Sequence, residues 1–134
     1  MNIDDKIYVS SDLDVVTARM KARKLAKQMG FSTADQARIS LAASELARAL
    51  SWNNDSPGEI ILSETSQNGL QGFQVACLVK QEYVSAEDQE DSSEQTSIPN
   101  RCVAGACKLL DESIVEVQDD QKAQVTLIKW LNLG

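Results

Sequence analysis

The sequence predicts a two-layer α+β sandwich, a mixed, mostly antiparallel sheet covered on one face by three helices. Three observations carry this reading. Two long segments in the first half repeat apolar residues at steps of three and four, the period of a helix with one buried face. Several short segments are β-prone or alternate apolar with polar residues, the period of a strand. The elements run strand, helix, helix, strand, strand, loop, helix, strand, strand, and one sheet with a wet face and a helix-covered face buries every stripe at once.

Ile7 to Ser10 is the first short β-prone run. Ser11 follows it, with Asp14 three residues on, a pair that caps a helix start. Val15, Ala18, Ala22, Leu25 and Met29 make one apolar stripe over Asp12 to Met29, and Gly30 ends the helix because it accepts a left-handed backbone. Ser32 and Asp35 repeat the capping pattern for a second helix running to about Trp52, with Ile39, Ala43, Leu46 and Leu50 as its buried stripe. Asn53 to Gly58 are turn formers that cannot continue it.

Glu59 to Glu64 and Phe73 to Val79 read as two antiparallel strands, joined through the hairpin signal Asn68-Gly69. Gln81 to Ser97 is polar, acidic and without apolar periodicity, so it reads as a long flexible loop. Asn100 is a candidate cap for a third helix, Arg101 to Asp111, with Val103, Ala106, Leu109 and Leu110 on its inner face. Ser113 to Val117 and Ala123 to Trp130 alternate as a closing hairpin.

With 134 residues, 43% of them hydrophobic, the chain suits one domain spanning 1–134 with one core. No apolar stretch approaches the roughly 20 residues that span a bilayer, and the first residues lack a basic region followed by an apolar run, so a cytoplasmic protein is expected. A net charge of −7 opposes nucleic acid, whose affinity comes from cations neutralising phosphates. The charge is uneven: Arg19, Lys21, Arg23, Lys24 and Lys27 crowd one segment, and Glu87, Asp88, Glu90, Asp91 and Glu94 another. Histidine is absent, which removes Ser-His and Cys-His nucleophiles and the usual zinc sites. Cys77, Cys102 and Cys107 are not at metal-site spacing and read as buried thiols.

Ser32 to Ile39 together with Ala42-Ala43-Ser44-Glu45-Leu46-Ala47-Arg48 resembles the N-box helix of the anti-sigma-factor serine kinases, the RsbT and RsbW group of the GHKL, or Bergerat-fold, ATPases. Ala104 to Glu112 is similar to a second segment of that family, and the closing Lys129-Trp130 also occurs at the family's end. The resemblance spans nearly the whole chain and implies the histidine-kinase ATPase-like variant of the sandwich.

The resemblance also implies a nucleotide pocket, against which this sequence departs in three places. The family's N-box carries a Glu and, one turn later, an Asn that coordinates Mg²⁺. Here Glu45 is followed one turn on by Ala49, and a methyl group cannot ligate a hard cation. Asn53 and Asn54 do not substitute, since they lie about 80° and 180° around the helix from Glu45 and two turns along. The family's Asp-x-Gly-x-Gly box maps onto Lys80 and Glu82, a cation where an adenine acceptor belongs and a bulky side chain where glycine belongs. Its glycine-rich lid is replaced by the acidic loop at 81–99, and no glycine lies between Gly72 and Gly105.

The expectation is therefore a non-catalytic regulator with degenerate pocket positions Glu45, Arg48, Ala49, Lys80, Glu82 and Gly105. Glu45 is the remnant general base, and no metal, ATP or other cofactor is expected. It would work by protein binding in a partner-switching module, its partner a STAS-domain antagonist, a sigma factor or a PP2C-type phosphatase, with neither nucleic acid nor membrane involved. The alternative is an active ATP-dependent serine/threonine protein kinase with a diverged site, using ATP and Mg²⁺. Glu45 also has an ordinary structural reading, a helix carboxylate beside Arg48 on the same face.

Overall fold

Asn68 and Gly69 both take positive φ, 54° and 84°. This is the backbone that a two-residue hairpin turn needs to follow the right-handed twist of its strands. The hairpin they close lies at the middle of the sheet. A computed structural model of the chain describes residues 4–51, 57–84 and 98–131. The strands are β1 (Asp4–Val9), β2 (Gly58–Gln67), β3 (Leu70–Lys80), β4 (Glu112–Val117) and β5 (Lys122–Trp130), and the helices α1 (Asp12–Met29), α2 (Thr33–Ser51) and α3 (Ile98–Cys107). The sheet order is β1-β2-β3-β5-β4. All four pairings are antiparallel, so the parallel share allowed in the sequence reading is not used.

The helix ends form as their residues dictate. Ser11 Oγ accepts from the Asp14 backbone N–H, and Asp14 reaches back past Ser11 to accept from the Ser10 N–H at 2.9 Å. Gly30 closes α1 at φ 100°, in the left-handed region. Ser32 Oγ caps α2 by accepting from the Asp35 N–H at 3.2 Å. The predicted stripes of both helices are buried apart from Met29, which is half-buried against the core. They meet Ile60 and Leu62 of β2, Phe73 and Val75 of β3, and Val125 and Leu127 of β5.

The third helix departs from the sequence reading at both ends. It begins at Ile98, with Pro99 in its first turn, where a missing N–H costs no hydrogen bond. Asn100 is therefore not a cap but a buried residue within the helix. The far end stops at Cys107 instead of Asp111, because Lys108 and Leu109 turn back by three residues, onto the carbonyls of Gly105 and Ala106. Of the expected loop at 81–99, Gln81–Val84 forms a short 3-10 helix and Ile98 and Pro99 belong to α3. Residues 85–97, including the acidic run, lie outside the described residues, as do Trp52, Asn53 and Asn54.

The three helices leave one strand uncovered. β4 is exposed along its whole length. Val115 and Val117 pair with the buried Val125 and Ala123, so they point to the helix side of the sheet, yet both remain in solvent.

At the opposite end of β5, Lys129 joins three distant stretches. Its ammonium lies 3.1 Å from Asp111 and 3.8 Å from Asp35, and its side chain is only 13% exposed. Asp111 also accepts the Trp130 backbone N–H at 2.8 Å, and the Trp130 indole N–H donates to Glu112. The Trp130 ring lies where a Gly72 Cβ would stand, 2.8 Å from it, so only glycine fits there. We expect Lys129→Met to destabilise the fold by about 1–3 kcal/mol, the usual loss for hydrogen bonds to charged groups, as read from urea unfolding.

Candidate functional site

Glu45 projects from α2 toward α3 with its side chain 22% exposed. Arg48, three residues along, places Nη1 at 3.7 Å from the carboxylate, as the shared helix face requires. From α3, the Cys102 thiol stands near the same carboxylate. Burial first, and then the Glu45 charge, push that thiol up from its ordinary value. The carboxylate that would serve as a base thus lies between Arg48 of its own helix and the Cys102 thiol of α3.

Ala49, one turn beyond Glu45, is fully buried and belongs to the main apolar core. Its side chain lacks an oxygen, and it does not line the groove at the strand ends. Lys80 and Glu82 sit elsewhere. Lys80 ends β3 on the face away from the core, opposite Lys122 in register, with its ammonium 6.0 Å from the centre of the Tyr83 ring. Glu82 is exposed on the 3-10 helix that follows.

Lys80 and Glu82 both line a groove of about 800 Å³, together with Glu59, Ile61, Leu78 and Lys122. Its walls carry charges of both signs over an apolar floor. Glu45, Arg48, Ala49 and Gly105 do not line it. Lys80 and Glu82 thus stand at the end of β3 and just after it, while Glu45, Arg48 and Ala49 lie on α2 and Gly105 on α3.

No protein-family model matches the chain. Serine/threonine-protein kinase RsbT of Bacillus subtilis (strain 168) is 29% identical over 142 aligned residues, covering 98% of this chain and 99% of that protein. Over nearly its whole length the chain is similar to the RsbT/RsbW group. In this RsbT-like chain the segments that carried the resemblance come together physically: Asp35 from the N-box segment, Asp111 and Glu112 from the second, and Lys129 and Trp130 from the last meet in one network. Sequence spacing alone could not show this, because Asp35 and Lys129 are brought together only by the tertiary fold.

The cysteines of the RsbT-like chain are all free. Cys77 and Cys102 are buried as expected, whereas Cys107 is only half-buried near the end of α3. Burial pushes the Cys77 thiol up to about 12, so it stays protonated and unreactive. Among the described residues, no three His, Cys, Asp or Glu side chains come together as a metal-holding group. No described helix is long and apolar enough to cross a membrane.

Gly105 lies inside α3, and a Cβ there would meet nothing within 4 Å. Packing gives no reason for glycine at this position. Gly105→Ala is expected to stabilise the domain by about 0.5–1 kcal/mol through helix propensity and a stiffer unfolded chain, measured as a raised urea midpoint.

Proposed function

We propose that the chain is a regulatory protein that works by binding other proteins in a partner-switching module, without phosphoryl transfer. The observation that carries this reading is Ala49, whose methyl is sealed in the core one helical turn from Glu45. Phosphoryl transfer needs positioned cations to neutralise developing charge, and a buried methyl offers a cation nothing. The Lys80 ammonium and the Glu82 carboxylate at the strand end support the same reading, since neither replaces an adenine acceptor or a glycine. The resemblance supports protein partners and names their classes: a STAS-domain antagonist, a sigma factor or a PP2C-type phosphatase.

The relative is named a serine/threonine-protein kinase, and Glu45 is the feature of this chain that favours retained activity. Thermal unfolding in millimolar Mg-ATP separates the two. A kinase holding nucleotide at 100-fold its dissociation constant gains about 2.7 kcal/mol, several degrees of melting temperature for a domain of this size. We expect no shift. A Mg-dependent rise would overturn the non-catalytic reading and restore the kinase.

A further inference from the structure

The inner face of α1 is buried, but its outer face carries large apolar side chains that none of the described residues covers. Leu13, Val16 and Met20 are 73%, 40% and 65% exposed. Steps of three and four residues place them on one face, opposite the buried Val15, Ala18 and Ala22. The same face continues into Arg23, Lys24 and Lys27, all exposed. The result is a strip about 21 Å long at 1.5 Å per residue, apolar toward its N-terminal end and cationic toward its C-terminal end.

The charges on this strip are not paired among the described residues. Lys21, on the flank, pairs with Asp5 at 3.7 Å. Among the described residues, Arg19, Arg23, Lys24 and Lys27 form no ion pair. Helix α1 holds five cations against Asp12 and Asp14 within a chain of net charge −7, so it is a positive feature on a negative molecule. An acidic partner is repelled by the remainder of the surface and attracted here, which fixes where it lands as well as how fast.

Resting on the partner-binding reading above, we propose that the outer face of α1 is the docking surface for an acidic amphipathic helix of a protein partner. The partner helix lies antiparallel. Its N-terminal turns carry carboxylates over Arg23, Lys24 and Lys27, and its later turns lay apolar side chains on Leu13, Val16 and Met20. In that orientation the carboxylates also sit at the positive end of the partner helix's own dipole, whereas a parallel helix would hold them at its negative end. A lipid surface fits less well. The chain carries a net charge of −7, and its remaining surface opposes anionic headgroups.

The test uses the full chain in the cells that naturally make it, with a photo-crosslinking residue at Met20 and, in a second strain, at Leu78 on the far face of the sheet. Adducts are mapped by mass spectrometry to the crosslinked peptide. Expected is a Met20 adduct on an acidic amphipathic helix, with its yield falling at least about tenfold in Arg23→Glu/Lys24→Glu, where the cost of like charge replaces attraction. Both substituted residues are exposed, and circular dichroism and melting checks that the double variant keeps its fold. No Met20 adduct, an adduct on a basic segment or on a second copy of this chain, or a yield indifferent to the reversal overturns the proposal. Flotation of the purified chain with phosphatidylglycerol vesicles, lost in the double variant, overturns it in favour of lipid. A protein adduct at Leu78 without one at Met20 sinks the α1 surface and leaves the partner-binding reading standing.

Discussion

Asparagine introduced at Ala49 should destabilise the domain by roughly 2–6 kcal/mol and leave it unresponsive to Mg-ATP. Restoring the side chain that holds the metal in the resembled N-box is the obvious way to revive a nucleotide site. Here the position is fully buried within the core. Fitting a larger side chain into a packed interior costs about 1–3 kcal/mol, and burying an amide without partners adds about 1–3 more. Urea unfolding with and without millimolar Mg-ATP reads both effects together. A loss below about 1 kcal/mol, accompanied by Mg-dependent stabilisation, would mean that the space for a nucleotide persists beside α2 and that a single side chain had closed it.

Alkaline pH should erode stability by a second large amount, through Cys77. Its folded thiol is raised to about 12 from an unfolded value of 9.0, because burial penalises the thiolate. Below pH 9 both states keep the proton and the full stability is present. Between 9 and 12 the unfolded chain ionises while the folded chain does not, so unfolding releases a proton and stability falls. The slope is about 1.4 kcal/mol per pH unit, or about 4 kcal/mol across the window. Burial also raises Cys102 and Cys107, and these act in the same direction. Comparing the parent with Cys77→Ala isolates the one thiol: the variant should lose the steeper part of the alkaline decline. An identical pH profile in the two proteins would place Cys77 in contact with water in the folded state, and rapid labelling by a maleimide at pH 8 would say the same.

Much of the fold was legible because its signals are local. Ser11, Gly30, Ser32 and the Asn68-Gly69 pair each act within a few residues of their own position, and each lands where its chemistry demands. The stripes of α1 and α2 were equally readable, since burial follows the helical period. What failed was also local, but ambiguous. Asn100 suits a cap or a helix interior, and Pro99 decides between them by suiting the first turn of a helix that starts earlier. The candidate site was less legible than the fold. That Ala49 lacks an oxygen is plain in the sequence, but that its methyl is sealed in the core is a property of packing. The Cys102 thiol beside Glu45 joins residues from two helices that no spacing rule connects. Placement of Lys80 and Glu82 in one pocket with Glu45 came from the resemblance, and no local spacing in the sequence supplies it.

The uncovered strand β4 gives the chain's acidity a second meaning. An open edge with Ile114, Val115 and Val117 in water is a template on which another copy can add its own strand. Glu112 and Glu116 lie on that strand, and Asp119 and Asp120 follow in the turn. Asp119 accepts the backbone N–H groups of Gln121 and Lys122 at 2.7 and 2.9 Å, which holds its carboxyl below the usual range and keeps it charged into mild acid. Two such edges approaching each other bring like charges together before any ladder can form. Electrostatic repulsion thus does at this edge what a covering helix does in many sheets, and strong salt, or acid that discharges the edge, is the condition under which copies are expected to begin to stack.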